Sequence, residues 1–282
     1  MKNAIILSMV LMMTAVACKK NDTGGTGLAA KDLFNVSYGS DTQQTMDIYL
    51  PAGRTSASTK ALIIVHGGAW VAGDKSEMNG TVAALRTLLP DYAFFNINYR
   101  LANSGGNLWP AQLDDLSEAV QFIRDRSNEY QFNTGLMAVG GASAGAHLAL
   151  LYAYQQPGRF KAVADMFGPT DMKDLYQNST GSVQWMLALF MGGTPASNPS
   201  AYHDASPLFF VNSASTPTII LHGTNDNVVP LHQSDSLVNR LNKAGVVNQY
   251  QVYTGEGHGV WSSGNTNDAY AGIAAFLKTH VK

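Results

Sequence analysis

From residue 34 to residue 279 the chain alternates short apolar runs with longer segments patterned like helices. The apolar runs lie at 61–65, 92–97, 136–139, 162–166, 218–221 and 249–253, and the helix-like segments at 82–89, 111–126, 144–154, 233–244 and 268–279. A strand wetted on one face alternates apolar and polar residues, whereas a strand covered on both faces is apolar at nearly every position. Strands of the second kind separated by helices predict an α/β fold, a mostly parallel central sheet with helices on both faces. Two further runs, 34–37 and 46–50, precede any helix and predict an antiparallel edge. Residues 168–215 break the rhythm, being too long for a plain connection. They hold a helix-like stretch at 185–191 and a Ser206-Pro207 turn, and read as an insertion between the sixth and seventh strands that lies over one end of the sheet.

The region ahead of this pattern has another character. Lys2 is followed by an uncharged run, residues 3–17, whose centre is IILSMVLMMTAV. A positive start and an apolar run too short to span a bilayer comfortably are the anatomy of a signal peptide. The run closes on Ala15-Val16-Ala17-Cys18, which resembles the lipobox of bacterial lipoproteins and implies lipidation of Cys18. Ala15 departs from that pattern, which usually has Leu there; an ordinary cleaved signal peptide, with Cys18 incidental, is the alternative. Residues 19–32 are polar and glycine-rich and read as a flexible tether. The expected division is therefore a signal peptide at 1–18, a tether at 19–32 and one domain at 33–282, exported and touching a membrane through an N-terminal lipid anchor alone. Once Cys18 carries lipid, no thiol remains for a disulfide, and the domain stands on its core. A chain 45% hydrophobic and 13% charged can supply that core. A net charge of −2, with no basic stripe, argues against a nucleic-acid partner.

In open parallel sheets ligands bind beyond the carboxyl ends of the strands, so the residues just after each apolar run carry the functional information. After LMAVG come Gly141-Ala142-Ser143-Ala144-Gly145 and then the helix-like AHLALLYAY. A serine on a strand-to-helix turn so tight that its neighbours must be glycine presents Oγ at the top of the sheet, above a helix N-terminus. A serine merely capping a helix is the structural alternative. A hydroxyl nucleophile needs a base, and His258, in Gly255-Glu256-Gly257-His258-Gly259, follows the last apolar run. Among the other histidines, His147 lies one turn along the serine's helix, and His222 closes a buried strand, where it reads as a satisfied residue positioning the adjacent turn. His203 and His232 sit in polar, loop-like sequence and His280 in the tail. The acid that orients the base should follow the penultimate strand, which points to Asp226 in HGTNDNVVP. Asp171, Asp174 and Asp235 are alternatives, and none directly follows a strand. The fourth element is His66-Gly67-Gly68-Ala69-Trp70, after the run at 61–65. Backbone N–H groups of Gly67, Gly68 and Ala69, with that of Ala144, could stabilise an oxyanion. The histidines do not cluster with acids or cysteine at ligand spacing, so neither a metal nor a cofactor is expected.

Taken together, the HGGAW loop at 66–70, Tyr99-Arg100-Leu101, WPAQLDD at 109–115, GASAG, HGTNDNVVP and GEGHG resemble the carboxylesterases of the α/β-hydrolase fold. They are most similar to the hormone-sensitive-lipase-like group and to small bacterial esterases that include feruloyl and acetyl-xylan esterases. The resemblance runs from about Asp47 onward. It implies hydrolysis of short-chain or aromatic acyl esters through an acyl-enzyme on Ser143, the substrate a small-molecule or oligosaccharide ester, including acetyl or feruloyl groups on plant polysaccharides. It implies scaffold roles for Tyr99, Arg100, Asp114 and Asp115. Ala69 stands in the last glycine position of the family's loop, and the lipase-like group's N-terminal cap helices have no room here, which implies an open site. The stretch at 185–191, with Tyr202 and Phe209, is expected to shape the acyl pocket. Three rival functions remain: a serine peptidase, which usually carries an additional large domain; an arylformamidase-like amidase, expected inside the cell; and an inactive surface glycan-binding lipoprotein, against which the intact Ser143, Asp226 and His258 speak.

Overall fold

The computed structural model describes residues 27–179, 181–259 and 261–282. The expectations for residues 1–18, Cys18 included, and for most of the tether lie outside the described residues. Strands β1 (Lys31–Ser37), β2 (Thr45–Leu50), β3 (Lys60–Val65), β4 (Tyr92–Ile97), β5 (Met137–Ala142), β6 (Ala162–Met166), β7 (Thr218–Gly223) and β8 (Asn248–Tyr253) form one sheet. Their order is β1-β2-β4-β3-β5-β6-β7-β8, antiparallel from β1 to β4 and parallel beyond. The helices are α1 (Asn79–Leu88), α2 (Ala111–Asp125), α3 (Ser127–Tyr130), α4 (Ala144–Gln155), α5 (Met172–Asn178), α6 (Gly181–Met191), α7 (Pro199–Asp204), α8 (His232–Ala244) and α9 (Ser263–His280).

Because successive strand side chains point to opposite faces, the uniformly apolar strands feed two cores. Ile63, Val65, Phe95, Val139, Val163 and Ile220 join α2, α4 and α8 through Leu116, Val120, Leu148, Leu237 and Leu241. Leu62, Ile64, Phe94, Ala138, Ala164 and Leu221 meet α1 and α9 through Val82, Leu85, Ile273 and Leu277 on the other face. Each fully buried Leu, Ile or Phe stabilises the fold by roughly 1.5–3 kcal/mol, so truncating one such as Leu116 to Ala costs about 2–5 kcal/mol. Helix α4 is buried at Ala144 through Tyr154, which explains why its sequence is apolar all round rather than amphipathic.

Several boundaries differ from the sequence reading, each for a physical reason. β1 begins at Lys31, inside the expected tether, because Lys31 pairs with Leu50, and the Gly53 N–H donates to Leu28 O just before it. β5 runs on through Gly140 and Gly141 to Ala142, and β7 through His222 to Gly223, residues whose type hides their strand pairing. The segment between β6 and β7 holds α5, α6, α7 and a 3-10 turn at Pro207–Phe210. Leu187, Phe190 and Met191 of α6 enter the core shared with Trp70 and α4, while Trp185 stays 64% exposed.

Candidate active site

Ser143 sits between the end of β5 and α4 with φ 54° and ψ −120°, a region that L-residues avoid. The turn is this tight because three backbone segments touch. A Cβ on Gly145 would lie 2.2 Å from Val65 O and 2.4 Å from His66 O, and one on Gly141 would lie 2.5 Å from the Gly145 carbonyl carbon. The two glycines of the pentapeptide are therefore required by close approach. The Ser143 N–H donates to Met166 O at 2.9 Å, which ties the nucleophile to β6.

His258 and Asp226 arrive on neighbouring loops that are sewn together. The Asn225 N–H donates to Glu256 O at 2.8 Å and the Gly255 N–H to Thr224 Oγ1 at 2.9 Å. A Cβ on Gly223 would lie 2.3 Å from Glu256 O, so this glycine lets the loops meet. The outcome is a continuous line: His258 Nε2 lies 2.8 Å from Ser143 Oγ, and His258 Nδ1 lies 2.7 Å from Asp226 Oδ2. Asp226 accepts only hydrogen bonds here, so Nδ1 carries the proton and Nε2 faces the serine hydroxyl as an acceptor. The ring edge is packed by Phe167, with centroids 4.9 Å apart.

Asp226 is buried, which alone would raise its pKa. Hydrogen bonds from His222 and His258, and from the Val228 and Val229 N–H groups at 2.9 Å each, reverse the sign and hold the carboxyl well below the ordinary range. It therefore remains a carboxylate, able to orient His258 and to stabilise its cation. The other acids weighed from sequence are engaged elsewhere. Asp171 caps α5 through the Asp174 N–H, Asp174 pairs with His232, and Asp235 accepts from the Tyr250 hydroxyl.

The glycine loop faces the nucleophile. A Cβ on Gly67 would stand 3.4 Å from Ser143 Cβ, and Gly67 and Gly68 line the same cavity as Ser143. Gly68, Ala69 and Trp70 have φ of 100°, 51° and 65°, a left-handed turn strained at its two non-glycine residues. The Trp70 ring anchors it, stacked on Phe190 at 4.5 Å and donating Nε1–H to His147 Nδ1 at 3.1 Å. His147 gives its one N–H, on Nε2, to Ala205 O, and burial lowers its pKa to about 4, so it stays neutral. The Gly67 carbonyl accepts from His66 Nδ1 at 2.7 Å and from the Tyr99 hydroxyl at 3.0 Å. In a trans peptide C=O and N–H point oppositely, so the Gly68 N–H is turned away from those two side chains. Gly67 and Gly68 line the cavity, and Ala69 and Ala144 lie just behind its wall. Asp115 accepts from the Arg100 backbone N–H, its guanidinium and the Gln44 amide, and braces the strand ends without approaching Ser143.

A cavity of about 360 Å³ opens from Ser143 between α1 and α9. Met78, Met166, Phe167, Trp261 and Ala269 give it apolar and aromatic walls, and Glu77, Thr81, Thr266 and Tyr270 add polar groups. The Thr81 and Tyr270 hydroxyls are 2.9 Å apart. This corrects the expectation that residues 185–191, Tyr202 and Phe209 shape the pocket beside the serine. Tyr202 and Phe209 line a separate depression with Asp171, Lys173 and His203, and α6 spends its apolar face on Trp70 and the core. Sequence reasoning missed Thr81 and Tyr270 because hydroxyls on two distant helices carry no spacing signal. Among the described residues, no group of three or more His, Cys, Asp or Glu is placed to hold a metal ion.

A parallel sheet topped by this serine elbow and an in-line Ser-His-Asp array is the architecture of the α/β-hydrolases. A truncated carbohydrate esterase from gut microbiota superposes with a TM-score of 0.77 at 25% identity, covering 90% of this chain and 99% of that one. A bifunctional GH43-CE protein of Bacteroides eggerthii gives 0.76 at 26% identity, covering 87% of this chain and 38% of that one. Residues 46–241 match the BD-FAE family model, and the chain belongs to that family. Esterase LipC of Mycobacterium tuberculosis is 28% identical over 86% of this chain and 64% of its own length. The chain spans about half to two-thirds of the length of the curated relatives it matches first.

Proposed function

We propose that the protein is a serine carboxylesterase. The observation that carries this is the unbroken line from Ser143 Oγ through His258 to Asp226, at 2.8 and 2.7 Å, opening on an apolar cavity. Ser143 Oγ attacks the ester carbonyl while His258 Nε2 takes its proton, and Asp226 stabilises the imidazolium. The N–H groups of Gly68 and Ala144 hold the oxyanion, Ala144 being the first residue of α4 and so without an intrahelical acceptor for its N–H. His258 then protonates the departing alcohol, and water, activated by the same ring, releases the acid. The relatives named as esterases support this reading, and the neighbour named a carbohydrate esterase supports carbohydrate esters as substrates; within that class the reading takes acetyl or feruloyl groups on plant polysaccharides.

Hydrolysis of p-nitrophenyl esters from acetate to octanoate, with ferulate and acetylated xylan alongside, tests it. The expected result is turnover of short or aromatic acyl esters that falls by roughly 10⁴-fold or more in Ser143→Ala. A well-folded wild type that turns over none of them refutes it. The reading also includes export and lipidation at Cys18, supported by Lys2, the apolar run and Ala15-Val16-Ala17-Cys18. Radiolabelled palmitate incorporated by wild type and by Cys18→Ser alike would refute that part.

A further inference from the structure

His222, next to last in β7, is fully buried and already stands beside the Asp226 carboxylate. Its Nε2 lies 2.9 Å from Val229 O and 3.2 Å from Asp226 Oδ2. Both neighbours are acceptors, so Nε2 bears the proton; it is hydrogen-bonded to Val229 O, and Asp226 Oδ2 stands beside it as an ion-pair contact. Its Nδ1 lies 2.7 Å from Ser234 Oγ on α8, so the ring is held at both nitrogens. Asp226 Oδ2 consequently sits between two imidazoles, with the His258 N–H on one side and the His222 N–H on the other.

We propose that His222 is a positioning residue for the reaction: it clamps the Asp226 carboxylate in line with His258 and limits how tightly His258 retains a proton. The physical reason is competition for one oxygen. A donor on Oδ2 draws off part of the negative charge that would otherwise stabilise the His258 cation. With it, the carboxylate cannot swing toward solvent and stays in line with the His258 ring. The charged and titratable groups around this pair are few. Asp165 on β6 faces His222 from the sheet, with Oδ1 accepting from the Gly168 N–H. Glu256, on the His258 loop, is turned outward to Ser262 and Asn265. Glu77 stands across the cavity.

The inference rests on the Ser143–His258–Asp226 reading, but its test does not require that the substrate be an ester. The full-length wild type, His222→Leu and His222→Gln are compared in two pH profiles. One is the rate of Ser143 phosphonylation by a fluorophosphonate, and the other is kcat/KM for p-nitrophenyl acetate; both report the free enzyme. In His222→Leu the acidic limb of each should move up by about half a pH unit, kcat should fall about 10-fold, and KM should change little. His222→Gln, which places an amide N–H near the Nε2 position, should restore much of both. Ser234→Ala, which loosens the ring without removing it, should move the limb the same way by less, and it carries the test where the leucine variant does not fold. Limbs that coincide with wild type in folded variants, or a glutamine variant as impaired as the leucine one, overturn the proposal. A wild type that reacts with the fluorophosphonate yet turns over no ester refutes the esterase reading and leaves this test intact.

Discussion

The conformation of Ser143 gives a prediction that separates backbone strain from chemistry. With φ 54° and ψ −120°, the residue occupies the mirror image of the ordinary extended region. Glycine adopts that region freely, and any residue with a Cβ does so at a cost of about 1–3 kcal/mol. Ser143→Ala retains the Cβ and therefore the strain, while Ser143→Gly removes both. Glycine also gains about 0.4–1 kcal/mol of unfolded-state entropy, which works against it. Both variants lose the hydroxyl and its contact with His258, so those effects cancel between them. The difference left over is a net advantage for the glycine variant of up to about 2.6 kcal/mol, centred on about 1.3 kcal/mol. For a domain of this size, each kcal/mol shifts the melting temperature by about 2–4 °C. Ser143→Gly should therefore melt several degrees above Ser143→Ala by calorimetry or by circular dichroism, while both are inactive toward p-nitrophenyl acetate. A glycine variant that melts with or below the alanine variant would refute the strain account of the elbow.

Other consequences of the geometry are open to direct measurement. Asp226→Asn would present an amide N–H to His258 Nδ1, force the opposite tautomer and cut kcat/KM by about 10⁴-fold, with the Val228 and Val229 N–H bonds retained; a loss under 10-fold would contradict the role of Asp226. Gly223→Ala places a Cβ where Glu256 O now lies, so the His258 loop must move and kcat should fall well before the fold is lost; unchanged kcat would show the loops are not coupled. Gly80 borders the cavity and has open space around an added Cβ, so Gly80→Leu should narrow the cavity and lower kcat/KM for octanoate far more than for acetate. Burial holds His66 and His147 neutral down to about pH 4 against 6.5 in the unfolded chain, so the unfolded state takes up more protons in that window and stability falls as pH drops through it. Asp165, raised by burial to about 7, opposes this with one proton bound in the folded state, so Asp165→Asn should steepen the fall in the urea midpoint between pH 6.5 and 4.

The sequence carried the sheet and the triad because both leave local marks. Strands buried on two faces are apolar at every position, as in Ala61–Val65, and the Ser-Asp-His order follows from which strand each loop leaves. What it did not carry depends on contacts between remote positions. Thr81 and Tyr270 meet across 189 positions, so nothing near either residue marks it as a cavity wall. The helix at 185–191 looked like a pocket lining because it is apolar, but apolarity does not say which partner it covers, and its partner is the Trp70 cluster. His222 reads from sequence as a core histidine, which it is; its second acceptor, Asp226, lies four residues on and becomes a partner only through the turn at the end of β7. The glycines flanking Ser143 announced a tight turn, whereas Gly223 looked like any strand-ending glycine although it admits the His258 loop.

Helix α9 supplies Thr266, Ala269 and Tyr270 to the cavity and begins at Ser263, after all three members of the triad. A chain cut after His258 would keep Ser143, Asp226 and His258 but lose one wall of the cavity, along with the packing of Ile273 and Leu277 on the sheet beneath it. The eighteen-residue α9 is therefore both a layer of the core and a wall of the cavity, so a substitution that loosens its packing reaches Ser143 without touching it.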